Sequence, residues 1–266
     1  MRVSLIGAGN LATNLAHALL KANHNILAVY SRTMSSASLL ANQIGATATD
    51  DIMLLHDDAD VFIIAVKDDV IADVAAILRQ RMPDALIAHT AGTVAMSAIP
   101  GSHRGVFYPM QTFSKQRIVD FRNIPLFVEA QEENDLKVLT SLAESLSDSV
   151  MHLDDERRKL LHLAAVFCCN FANHCSAIAE KILTDNGIPF DVMLPLVNET
   201  NAKLNQCAPH DAQTGPAVRE DHHVMDAHIN LLNGLDMTQF AEIYKILSDS
   251  IINLKKNNNH EMQDKE

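Results

Sequence analysis

The chain has 266 residues, 48% hydrophobic and 20% charged, which suits one large or two modest folded domains and not a disordered segment. A formal net charge of −12 disfavours a sequence-independent nucleic-acid binder, which needs an excess of Lys and Arg to meet phosphates. No apolar run reaches the length of a membrane span, and the N-terminus opens a strand instead of a signal peptide. Cys168, Cys169, Cys175 and Cys207 lack C-x-x-C spacing and read as reduced packing residues. The expectation is a cytoplasmic protein with neither a membrane nor a nucleic acid as partner.

Val3–Ile6 ("VSLI") reads as a short buried parallel strand. Leu11, Leu15, Ala18 and Leu19 then recur at helical spacing. Gly7, Gly9 and Ala12 fill a G-x-G-x-x-A pattern at the junction, and Asn10 and Leu11 open the helix. A pyrophosphate explains each position: a tight turn at Gly7, close backbone approach at Gly9, and close helix–strand packing at Ala12. The helix N-terminus would supply free N–H groups and its positive end. The plainer alternative is a strand–turn–helix whose glycines serve the turn alone.

The next strand, "NILAVYS", ends where a carboxylate would bind the 2′-hydroxyl of NAD. Ser31, Arg32 and Thr33 stand there instead, and a guanidinium with two hydroxyls suits the 2′-phosphate of NADP. Alternatively, Arg32 is a solvated arginine at a helix start. A helix is predicted over Met34–Ile44, then a short strand "ATAT", a short helix "DIMLLHD" and the strand "DVFIIAV". A helix over Val70–Arg81 precedes the strands "ALIAHT" and "GVFYPM". "IPLFVEA", a helix over Glu133–Leu146 and "SVMHLD" complete this half. Alternation of this kind implies a doubly wound, mostly parallel α/β sheet, a Rossmann domain over residues 1–153. Ala65-Val66-Lys67-Asp68 and His89-Thr90-Ala91-Gly92-Thr93 lie in loops at carboxyl ends of strands, where such sheets bind ligands, and the small residues of the second, with Thr90 and Ala91, suit a nicotinamide ring; Lys67 could equally be a surface lysine.

Residues 154–266 read as an all-helical second domain. One long helix runs from an Asp154 N-cap to Asn186-Gly187, and another covers about Phe190–Cys207. An interrupted loop precedes helices near His222–Leu232 and Thr238–Leu254, and the polar tail from residue 255 reads as frayed. A histidine can donate a proton to a reducing carbonyl or imine, because its unperturbed pKa of about 6.5 lies near working pH. His162 is the candidate, sharing a helix face with Val166, Cys169 and Asn173, with Asn170 one step around. Its plain alternative is a packing histidine. In the loop, Thr214 precedes a Gly-Pro turn and Arg219, which could clamp a carboxylate or else pair with Glu220 or Asp221. The histidines His210, His222, His223 and His228 fit no standard zinc spacing, so no metal is expected.

"LIGAGNLATNLAHAL", "VYSR", "ADVFIIAVKDDVI" and "AHTAGT" resemble the NADP-binding half of pyrroline-5-carboxylate reductases and deazaflavin-dependent NADP oxidoreductases. With "LHLAAVFCCN" and "TGPAVRED", nearly the whole chain resembles a two-domain family joining a Rossmann-like half to a helical domain of unknown function. The resemblance implies an NADP-dependent oxidoreductase acting on a small carbonyl or imine compound in the cleft between the halves. It breaks in one place: Lys159 is followed four residues on by Leu163, so the Lys–Asn pair of hydroxyacid dehydrogenases does not carry over. A protein that binds NADP as a sensor or scaffold, without turnover, therefore stays open. The Leu- and Ala-rich face of Leu160–Leu183 points to a homodimer through the helical half.

Overall fold

The computed structural model describes residues 1–263, with side chains through Asn257. Two compact units divide it, one over Met1–Cys168 and one from Cys169 onward. The division falls later than the Asp154 boundary expected from the change of pattern, because the first turns of the long helix pack within the α/β unit.

The first unit is built on eight strands: β1 (Arg2–Ile6), β2 (Asn25–Tyr30), β3 (Thr47–Thr49), β4 (Val61–Ile64), β5 (Ile87–His89), β6 (Arg104–Pro109), β7 (Leu126–Ala130) and β8 (Val150–His152). They form one sheet in the order β3-β2-β1-β4-β5-β6-β7-β8. Every pair is parallel except β6–β7. The helices α1 (Asn10–Lys21), α2 (Met34–Ile44), α3 (Ile71–Arg81) and α4 (Glu133–Leu146) cover the sheet on both faces.

Val3, Leu5, Val61 and Ile63 point to one face, where they join Ala12, Leu15, Leu19, Leu40, Leu139 and Leu142 of α1, α2 and α4. Ile6, Phe62 and Ile64 point to the other, against Ile71, Ala75 and Leu78 of α3. Burial on both faces is why β4 reads as an unbroken apolar run. The buried stripe of α1 runs through Ala12, Leu15, Ala16 and Leu19, so Leu11 and Ala18 lie at its edge. Asn14 is also fully buried. Its amide nitrogen donates to the carbonyls of Asn10 and Ser114, both at 2.9 Å, and its oxygen accepts from the Val119 N–H at 3.0 Å. The segment after β6 is thereby fastened to the first helix.

The long helix is not uniform. It comprises α5 (Asp155–Ala165), a π-helical stretch Val166–Phe171, and α6 (Ala172–Thr184). The Asp154 carboxylate caps α5 by accepting from the Arg157 N–H at 2.8 Å. Leu161 packs against Val106, Tyr108 and Phe127, which anchors α5 to β6 and β7. The second unit continues with α7 (Leu194–Lys203), α8 (His222–Gly234) and α9 (Thr238–Gln263). Helix α9 thus extends past the expected start of the frayed tail, whose final residues 264–266 lie outside the described residues. A small core of Ala217, Met225 and Ile252, with Tyr244 and Ile251, joins α8 and α9. By contrast α6 and α7 bury no residue. The cysteines are correspondingly exposed and free, not packed as expected. From Asp155 to Thr184 the helix is also long and apolar enough to cross a membrane, by length and composition alone.

Candidate active site

The turn after β1 has the shape a dinucleotide needs. Gly7 has φ +127°, and a β-carbon there would overlap the Ala65 carbonyl, where the chain leaves β4. Any other residue is excluded twice, by conformation and by space. Gly9 is the N-cap of α1, and a β-carbon on it would meet nothing within 4 Å. No side chain caps this helix end. Open space over a glycine and an uncapped helix N-terminus could hold a pyrophosphate, with the N–H groups of Asn10 and Leu11 in the first turn.

Order in the sheet reverses between β1 and β4, the switch point at which such folds bind ligands. The loops that follow β1, β2, β4 and β5 bring Gly7, Gly9, Ser31, Arg32, Val66, Lys67, Thr90 and Ala91 to the carboxyl edge of the sheet. Arg32 is exposed and, among the described residues, forms no ion pair, so its guanidinium is available to a phosphate. Thr33 turns its hydroxyl to Ser36, at 2.9 Å. Lys67 is exposed. Thr93 donates to the Asp68 carboxylate at 2.7 Å, which ties the loop after β5 to the loop after β4.

The loop after β5 also receives α5. Gly92 is buried, and a β-carbon on it would stand 2.6 Å from His162 Nδ1. The imidazole therefore lies directly on the backbone beside Thr90 and Ala91. From β6, the Tyr108 hydroxyl lies 3.1 Å from the same Nδ1. One turn earlier on α5, Arg158 is fully buried. It donates to Glu129 and to the Val94 carbonyl, both at 2.7 Å, and to Asp155. Asp155 accepts from the Met96 N–H at 3.0 Å. The Val94 and Met96 contacts clamp the β5 loop onto α5. Burial pushes the Glu129 carboxyl above its ordinary range, against the opposing pull of Arg158. Asp155 is held low: burial pushes it up, but the Met96 N–H and Arg158 outweigh that.

His89 ends β5 under the same loop, fully buried. Its Nδ1 accepts from the Ala91 N–H at 3.2 Å, and among the described residues its Nε2 has no partner at hydrogen-bond geometry. Burial, reinforced by the Arg158 charge, depresses its pKa from 6.5 to about 4, so the ring is neutral at pH 7.

The other expected residues belong to the second unit. Asn170 lies in the π-helical stretch, exposed, in the second unit. There the extra residue per turn ends the face that uniform α spacing would carry from His162 through Val166 and Cys169 to Asn173. Thr214 and Arg219 also belong to the second unit. Arg219 sits in a 3-10 turn, Ala217–Arg219, and not in the following helix. The internal pairing considered for it is absent among the described residues: Asp221 caps α8, and Glu220 pairs with Lys256 at 3.3 Å. Tyr108, Arg158, Glu129 and Asp155 are not marked by the sequence, and His89 is marked only as the first residue of the loop after β5. The one signal that could have found the first four is an arginine one helical turn before His162.

A sequence family described as coenzyme F420-dependent NADP oxidoreductase matches residues 2–92, and a domain of unknown function, DUF2520, matches residues 124–251. A provisional NADP oxidoreductase from Bacteroides fragilis is 45% identical over 95% of this chain and 98% of that one, with a TM-score of 0.89. The chain belongs to this family of NADP oxidoreductases. Its cofactor is NADP, which the uncapped cradle at Gly9 fits. The fold extends to an imine reductase from Myxococcus stipitatus in complex with NADP+, at 14% identity and TM-score 0.66, covering 97% of this chain and 93% of that one. It extends also to a pyrroline-5-carboxylate reductase from Coxiella burnetii, at 16% identity and TM-score 0.57, covering 96% and 97%. Among curated proteins none matches the chain in sequence.

Proposed function

We propose that this oxidoreductase interconverts a small carbonyl or imine compound with its reduced form, and that His162 is the proton donor. Bound NADPH supplies the hydride. The single observation that carries the reading is the contact of His162 with Gly92, which puts an imidazole on the loop whose small residues suit a nicotinamide. The Nδ1 edge of the ring meets Tyr108, while Nε2 makes no protein hydrogen bond among the described residues. That free edge can give a proton to a substrate oxygen or nitrogen. In the second unit, Arg219 and Thr214 are candidates to hold a substrate carboxylate, with Asn170 as a further polar contact. His162→Gln keeps hydrogen-bonding capacity without titrating near neutral pH. NADPH oxidation measured over a panel of keto acids and cyclic imines should fall by about 10²–10⁴-fold in this variant, with cofactor affinity and melting temperature held. Turnover equal to the parent's would make His162 structural. Tight NADP binding with no turnover of any compound by the parent would favour the sensor reading.

We also infer a homodimer in which a second copy covers the exposed face of α5 and α6. Leu160 and Leu163 are 67% and 54% exposed, and α6 and α7 bury nothing within the chain. A bilayer suits this face less well, because the start of α5 is pinned to the sheet through the fully buried Arg158.

A further inference from the structure

We propose that Tyr108 is a positioning residue for His162: its hydroxyl donates to Nδ1 and holds the neutral imidazole with its proton on Nε2. The inference rests on the reading of His162 as proton donor and adds the group that sets its tautomer. A histidine presents a donor at Nε2 only when Nδ1 is an acceptor, and the partner of Nδ1 decides which form prevails.

Three observations support this direction of the bond. Tyr108 is only 8% exposed, and among the described residues His162 Nδ1 is the hydrogen-bond partner of its hydroxyl. Were Nδ1 the donor, the phenolic proton would be left without a protein acceptor among the described residues in a part-buried place, where polar groups are usually paired. Second, the phenol is fixed. Tyr108 stands on β6, packed with Val106 and Phe127, with its ring centroid 6.2 Å from that of Phe127. Third, Gly92 closes the Nδ1 side of the imidazole, so that edge cannot also face a substrate.

The surroundings keep the phenol a donor. Burial pushes its pKa up and Asp68 adds to the rise, while the Arg158 guanidinium opposes both. The protons balance through the pair. As the Nε2–H bond breaks, its proton joins the substrate oxygen or nitrogen and the Tyr108 proton passes to Nδ1. Nε2 then takes a proton from solvent and Nδ1 returns its own to the phenolate oxygen, which restores the starting tautomer.

Nitrogen NMR of the full-length protein with ¹⁵N-labelled histidine tests this without any substrate. His162 is assigned by its loss in His162→Gln. At a pH where the ring is neutral, the parent should show a protonated Nε2 and a bare Nδ1. Tyr108→Phe should move the Nδ1 resonance and mix the tautomers, with NADP affinity unchanged within about twofold. A protonated Nδ1 in the parent, or nitrogen resonances unmoved in Tyr108→Phe, would overturn the proposal. If that variant fails to fold, fluorotyrosine in place of tyrosine gives a more acidic phenol in the same shape. It should shift Nδ1, and no shift would again overturn the assignment. Because this readout is independent of turnover, the tautomer can stand while the role of His162 in reduction fails, or fail while that role stands.

Discussion

His162 occupies the space that a side chain at Gly92 would need. A β-carbon there would lie 2.6 Å from Nδ1, 2.9 Å from Cγ and 3.1 Å from Cβ of the histidine. The nearest atoms reach back to the root of the imidazole, so the ring cannot simply swing aside. Gly92→Ala should therefore push α5 off the loop and lose about 1–3 kcal/mol of stability, as overpacked sites do. Denaturant unfolding measures the loss. A variant as stable as the parent, with His162 nitrogen resonances unmoved, would show that the contact is slack.

Arg32 should discriminate between the two nicotinamide dinucleotides. It is exposed at the end of β2 and has no internal ion pair among the described residues. Losing a charge-assisted contact costs about 1.5–3 kcal/mol, so Arg32→Ala should weaken NADP binding roughly ten- to a hundredfold. NAD affinity should hardly change. Equal losses for both nucleotides in a titration would remove the 2′-phosphate assignment.

His89 gives stability a pH dependence of known sign. Its pKa falls from 6.5 to about 4 on folding, so the unfolded chain binds the proton more readily. The contribution is present above pH 6.5 and is lost as pH falls through 4. A shift of that size corresponds to roughly 3 kcal/mol at full effect. The slope of unfolding free energy between pH 6.5 and 4 should therefore be shallower in His89→Gln than in the parent. Asp155, held low in the folded state, adds acid sensitivity to both proteins. Identical slopes would mean that the ring is not kept neutral.

The exposed apolar face makes a prediction about mass. Light scattering at micromolar concentration should give about 58 kDa, twice the 29.2 kDa of one chain. Leu160→Asp with Leu163→Asp should lower that towards one chain, because two charges cannot be buried in an apolar contact without partners. A parent that is monomeric at this concentration would end the idea, and partition into lipid vesicles without added detergent would point to a membrane instead.

The sheet was largely legible because its strands carry period and burial in their own residues: "VFII" and "VSLI" have few alternatives. Helices α2 and α4 were bounded by local signals, and the structure keeps those bounds. The reversal at β7 was not visible, since antiparallel pairing is decided by the partner strand and not by the apolar run. Nor was the π-helical stretch, because Val166–Phe171 has the same apolar pattern in either helix. The candidate site split along the same line. Gly7 and Arg32 stand in a local motif, whereas Tyr108 is meaningful only through a residue 54 positions later. Nothing in "GVFYPM" marks its tyrosine as different from its phenylalanine.

Asn14 sets an order of events for a chain made from its N-terminus. Its buried amide is satisfied by Ser114 and Val119, which are 100 and 105 residues further along. While β1, α1 and β2 are already available to pair, only the Asn10 carbonyl satisfies that side chain, and its oxygen and second N–H can only be solvated, so α1 cannot close fully over its sheet. The last seal on the nucleotide half then waits for the segment beyond β6 to be synthesised and delivered. A nascent chain stopped before residue 114 should leave the first helix exchanging its amide protons freely, and one extended past residue 119 should protect them.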